Sequence, residues 1–421
     1  MYARILSYPE DSSFFLFGPR STGKSTWVQR QFPPALFVDL LKASVFTRLS
    51  AEPDRLGKMI PDGFSDRVII DEIQKIPPLL DEVHRLIETR RLRFILTGSS
   101  PRKLRRGGVN LLGGRALTLR MYPLTAAELK SSFDFKRALE YGLIPPAYTA
   151  EDPRDFLESY VQVYLQEEIT QEGLIRNIGS FARFLESASF SQGSILNVAT
   201  VARDCAVPRK TVEGYFEILN DLHIAYYLPI FQKRAKRKSQ AHPKFYFFDA
   251  GLFRALRPFG PLDAQWEATG PALETLVLQE IIALNSYLRR RYSICYWRSK
   301  AKAEVDFILY GEKAFFAIEV TGANRVREGD IAGLKAFLKE YPQAEAFLLY
   351  GGEERYYEDK ISFIPLTEFF KDCQGLFFSI RSLQLNWGED EKGIGGSAWE
   401  SNPPIALFRR YTGFEVREPH Q

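Results

Sequence analysis

The stretch FFLFGPRSTGKSTWVQR, residues 14–30, decides the fold of the first domain. FFLF (14–17) is short, apolar and closed by glycine, which reads as a buried strand. The turn Gly18-Pro19-Arg20-Ser21-Thr22-Gly23-Lys24-Ser25 follows directly, with Thr26 next. A helix is expected from about Lys24 to Gln31, ending before Pro33-Pro34. Strand, G-x-x-x-x-G-K-S and helix together form the setting that a phosphate-binding P-loop requires. The glycines let backbone amides close around phosphate oxygens. Lys24 can reach the β and γ phosphates, the Ser25 hydroxyl suits Mg²⁺, and the helix N-terminus adds its dipole. A ligand-free Gly-rich turn is the plainer alternative, and the flanking strand and helix argue against it.

Working outward, 421 residues imply two or three domains, because one core rarely exceeds about 250–300 residues. Hydrophobic residues make up 45% and aromatics 14%, enough for large buried cores. Net charge is +4, from 56 basic and 52 acidic residues, so only local charge can argue for nucleic acid. Cys205, Cys295 and Cys373 lie far apart, and with four histidines they suggest neither a disulfide framework nor a zinc site. No apolar run approaches membrane-spanning length, so a cytoplasmic protein is expected.

ALFVDL (35–40) reads as a second strand, and RVIIDE (67–72) as a third that ends in two carboxylates. Asp71 stands where a Walker B aspartate orients the Mg²⁺ shell, and Glu72 where a carboxylate polarises the attacking water. Away from a P-loop, such a pair would read as helix N-terminal charge. RFILTGSS (93–100) is another apolar strand, whose Thr97 or Ser99 is a candidate γ-phosphate sensor. Arg115, after two glycines, is a candidate arginine finger, in cis or from a neighbouring subunit; in trans it would require a homo-oligomer. A solvated or salt-bridged arginine is the competing reading.

GPRSTGKST, VIIDEIQKIP, FILTGSS, LLGGRA and YPLTAAEL together resemble the prokaryotic AAA-type ATPases that carry a C-terminal domain of unknown function. The likeness runs from roughly Ser13 to Lys371. It implies an ATPase class with an extra strand between the two Walker motifs and a glutamate after the aspartate. ATP and Mg²⁺ are the implied ligands, with water as the acceptor. The expected fold is α/β: a P-loop domain (1–135), a helical lid or bridge (136–180), a winged helix (181–260) and a restriction-endonuclease-like domain (261–385).

In the bridge, DPRDFLESYVQVYLQEEIT (152–170) is helical in pattern, with Phe156, Tyr160, Val163 and Tyr164 on one stripe. ILNVATVARDCAVPRKTVEGYFEILNDLHIAYYLPI (195–230) reads as helices at 198–204 and 209–220 and then a strand. FYFFD (245–249) supplies the return strand of a winged hairpin. Its loop holds Lys233, Arg234, Lys236, Arg237 and Lys238. With Arg209 and Lys210 they are candidate contacts to double-stranded DNA phosphates. A solvated loop on a protein-contact module is the alternative.

GPALETLVLQEIIALNSYL (270–288) is an amphipathic helix, followed by strands that carry Asp306 and Glu319. This resembles the restriction-endonuclease arrangement of a helical glutamate, here Glu280, then D, then E-x-K, in which two carboxylates hold Mg²⁺ and a lysine steadies water. The lysine is absent: Thr321 stands in its place, and Lys300, Lys302 and Lys335 are substitutes at a distance. A core kept for binding is therefore expected over a working nuclease, with Asp306 and Glu319 as a second metal site. The tail, 386–421, is rich in Gly, Pro and charge and is expected to be disordered. It also resembles the translation of a tRNA gene read on the opposite strand, which would make it an accidental extension.

Overall fold

Every residue of β1 (Ser13–Phe17) is buried, as a strand covered on both faces requires. The computed structural model describes residues 2–102, 104, 112–165, 177–232, 242–261, 263–312 and 314–378. β2 (Leu36–Asp39), β3 (Arg67–Asp71), β4 (Arg93–Gly98) and β5 (Ala116–Arg120) join β1 in a parallel sheet of order β2-β3-β4-β1-β5. The extra strand expected between the two Walker motifs, ALFVDL, is β2, which follows β1 in sequence and lies at the sheet edge beyond β3, while β4 separates β1 from β3. The register pairs Phe17 with Gly98 and Asp39 with Asp71, so the loop after β1, the acidic end of β3 and the end of β4 share one edge. Ligands of open α/β sheets bind at that edge.

Both faces are packed. Phe15, Phe17, Val68, Ile70 and Leu96 meet Leu79, Val83 and Leu86 of the helix Leu79–Arg90. Phe14, Leu16, Ile69 and Ile95 meet Trp27 and Val28 of the helix Lys24–Gln31, with Ala283 and Tyr287.

The bridge helix is Pro153–Ser159, capped by Asp152, and it runs into a π-helical turn at Tyr160–Leu165. The wider turn breaks the 3.6-residue period, and Val163, expected on the packed stripe, is exposed. Residues 166–170 of the expected helix lie outside the described residues. Helices Val198–Asp204 and Arg209–Asp221 fall where the sequence places them. A three-stranded sheet follows the order β6-β8-β7, with β6 at Ser194–Ile195, β7 at Ala225–Leu228 and β8 at Lys244–Phe247. Phe184, Phe216 and Phe245 stack edge to face beneath it, so these aromatics are core. The five basic residues at 233–238 and the tail at 386–421 lie outside the described residues.

Contacts divide the chain into two units: Met1–Tyr227 with Phe245–Arg289, and Leu228–Lys244 with Arg290–Gln421. The helix Gln265–Tyr287, expected with the C-terminal domain, belongs by its contacts to the first. The second is built on a six-stranded sheet of order β13-β14-β12-β11-β10-β9. β9 (Ser293–Arg298), β10 (Glu304–Gly311) and β11 (Ala314–Val320) are antiparallel. β12 (Glu345–Tyr350) and β14 (Ile361–Pro365) continue in parallel, and β13 (Tyr356–Glu358) closes the edge. Leu334 and Phe337 of the helix Glu328–Glu340 cover one face. The three cysteines are free and buried. Among the described residues no helix is long and apolar enough to cross a membrane.

Candidate nucleotide site and a second acidic cluster

The loop after β1 is built around a close approach. A Cβ on Gly18 would lie 2.2 Å from the carbonyl oxygen of Met121, so only glycine fits. Gly23 has φ 91° and caps the helix Lys24–Gln31, presenting its first amides to the loop. The Thr22 hydroxyl, fully buried, donates to Pro19 O at 2.9 Å. The Lys24 ammonium donates to Gly18 O at 2.8 Å and Pro19 O at 2.9 Å, which aims it into the loop. Tyr160 OH donates to Arg20 O at 3.3 Å, tying the bridge to the same loop. Ser21 takes a left-handed φ of 64°, and Thr26 is exposed on the helix.

The acidic end of β3 closes against this loop. Ser25 Oγ donates to Asp71 Oδ1 at 2.9 Å, and the Thr97 hydroxyl donates to the same oxygen. The Glu72 amide donates to Thr97 Oγ1 at 3.2 Å. Glu72 itself has φ 63°, a strained left-handed conformation of the kind that clusters at working sites. Gln74 Nε2 donates to the Glu72 carboxylate and reaches Ser99 Oγ at 3.4 Å. Lys24, Ser25, Asp71, Glu72, Thr97 and Ser99 therefore converge on one edge. Gln74 joins them and was not foreseen; its signal was its place two residues after Glu72 on a turn. Arg115 pairs with Glu88 at 2.5 Å and donates to Gly113 O, on a half-exposed side chain. The salt-bridged reading describes it here.

In the second unit, β10 and β11 bring Asp306 and Glu319 together. The Asp306 amide donates to Glu319 Oε2 at 3.3 Å, and Asp306 Oδ2 accepts from the Val320 amide at 3.1 Å. The expected third member, Glu280, is carried by the helix Gln265–Tyr287. Glu280 lies in the first unit, where its carboxylate accepts from the amides of Ala126 at 2.8 Å and Ala127 at 3.3 Å. Burial pushes its carboxyl up to about 8, against the pull of those two amides. Thr321 donates its amide to Leu349 O and accepts from the Ala323 amide, which shapes the turn after β11. Lys300, Lys302 and Lys335 are exposed. Among the described residues, the lysine shown to reach Asp306 is Lys244, first residue of β8. Its Nζ lies 2.6 Å from Glu304 and 3.2 Å from Asp306. Nothing local in the sequence flagged it, because the contact spans 62 residues.

The parallel sheet, its strand order and the loop after β1 fit a P-loop NTPase domain. Residues 10–130 match the AAA domain family. Residues 132–263 match a domain of unknown function (DUF8612), and residues 269–369 match another (DUF4143). A protein of Haemophilus influenzae described as uncharacterized is 22% identical over 258 residues. That alignment covers 57% of this chain and 62% of the relative, so the chain spans under two thirds of the relative's length.

Proposed function

We propose that the protein binds ATP with Mg²⁺ on Gly18–Ser25 and hydrolyses it, using turnover to switch or remodel a partner. The observation that carries this reading is the hydrogen-bonded set Ser25–Asp71–Thr97–Glu72–Gln74 at the sheet edge beside the loop. Mg²⁺, when bound, neutralises phosphate charge and orients the γ-phosphoryl group. Ser25 and Asp71 would hold it, and their 2.9 Å contact places two hard oxygen ligands side by side. Lys24 would exchange its main-chain carbonyl partners for phosphate oxygens. Glu72 would accept the proton of the attacking water as the bond between the β and γ phosphates breaks, releasing ADP and phosphate. Thr97 fixes the aspartate and the amide of Glu72 together. An arginine-finger role for Arg115, with the homo-oligomer it would require in trans, needs its pair with Glu88 to open.

We read the two helices and the sheet β6-β8-β7 as a winged helix that offers Arg209 and Lys210 to double-stranded DNA. The six-stranded sheet with Asp306 and Glu319 reads as a restriction-endonuclease-like core. Phosphate release from ATP, with and without double-stranded DNA and beside Glu72→Gln, tests the whole. Release stimulated by DNA and lost in the variant supports a DNA-coupled ATPase. Unchanged turnover in Glu72→Gln removes the glutamate from the mechanism. ATP binding without release in any condition leaves an interaction protein that uses ATP as a ligand only.

A further inference from the structure

We propose that Lys244 takes the cation position in the acidic cluster of the second unit, so that its sheet carries a metal-free ion cluster in place of a divalent-metal site. The Lys244 side chain is 3% exposed, and carboxylates beside a buried ammonium offset the cost of taking its charge out of water. Glu304 and Asp306 are two residues apart on β10, where the pairing with β9 shifts register between Val305 and Ile308, and both carboxylates reach the same ammonium. Lys244 Nζ bridges them at 2.6 and 3.2 Å. It also lies 5.8 Å from the centre of the Tyr296 ring, whose negative face favours a cation. The Tyr296 hydroxyl donates to His242 O at 2.7 Å and so fixes the backbone two residues ahead of the lysine. Arg298 adds a second positive charge 3.6 Å from Glu304.

The acids are arranged for this occupant. Asp306 Oδ1 meets Lys244 and Oδ2 meets the Val320 amide, so each of its oxygens already holds a donor. Glu319 Oε2 meets the amide of Asp306. Mg²⁺ demands near-octahedral oxygen ligands at roughly 2.0–2.1 Å and keeps several waters. Here it would have to sit against an ammonium on the same oxygens, and like charges at that range repel strongly. An ammonium has three donors and no preferred octahedron, which suits a pair of carboxylates that also tie adjacent strands.

The test is a Mn²⁺ titration of the full chain without nucleotide, read by the electron paramagnetic resonance of the free ion. Wild type and Asp306→Asn are expected to bind equal amounts. Lys244→Met should gain one Mn²⁺ per chain and lose it again in Lys244→Met/Asp306→Asn. Mn²⁺ bound by wild type and lost in Asp306→Asn overturns the proposal. So does a folded Lys244→Met that gains none, or Mg²⁺-dependent plasmid cleavage abolished by Asp306→Asn. If Lys244→Met fails to fold, the comparison of wild type with Asp306→Asn decides alone.

Discussion

Lys24 is positioned by two main-chain carbonyls, Gly18 O and Pro19 O, so its charge is already directed at the loop interior. Hydrogen bonds to charged groups contribute about 1.5–3 kcal/mol. Lys24→Ala should therefore weaken ATP binding roughly 10- to 100-fold, measured by anisotropy of a fluorescent ATP analogue, with the melting temperature little changed. Glu72→Gln should bind ATP as wild type does and lose about 10²–10⁴ in kcat, the usual share of a general base. These residues were legible because the loop and the acidic strand end are contiguous runs of sequence with their own local chemistry. Gln74 was half legible: its neighbour announced a site, but its bond to Glu72 depends on the left-handed backbone at Glu72, which sequence does not show.

At the scale of elements, the helix Gln265–Tyr287 illustrates what periodicity tells and what it leaves out. Its existence followed from its apolar spacing, and its ends came within a few residues of expectation. Its partner did not follow, because sequence adjacency to β9 suggested the nuclease-like sheet. Its buried residues instead meet the nucleotide unit: Tyr287 OH accepts from the Tyr122 amide and Arg4, and Glu280 holds the start of the helix Ala126–Leu129. A consequence follows for pH. The folded-state pKa of Glu280, about 8, lies above its ordinary value of 4.5, so its contribution to stability is complete below 4.5 and is lost as pH rises through 8. Asp249, buried and raised to about 6, acts in the same direction. Denaturant midpoints should fall as pH rises from 4.5 to 8, and Glu280→Gln should flatten that slope. An unchanged slope would exclude Glu280 as its source.

Across the whole molecule, the second unit gathers two separate pieces of chain. Phe231 fastens the earlier piece: it is buried among Tyr310, Phe315, Phe337 and Tyr341, and its amide donates to Tyr296 O at 2.6 Å. Phe231→Ala should destabilise the unit by about 3–5 kcal/mol, read as an earlier calorimetric transition. Such a long-range anchor leaves no periodic trace, which is why the sequence suggested sequential domains where contacts interleave them. The helix Gln265–Tyr287 carries this furthest. A recombination event that exchanged the chain at the gap between residues 263 and 269, where the family matches meet, would separate Glu280 and Tyr287 from their partners near residues 4 and 122–127. Exchange of the segments matched as separate families should therefore disrupt the first unit, and natural fusions of this unit to other C-terminal partners should carry that helix with them.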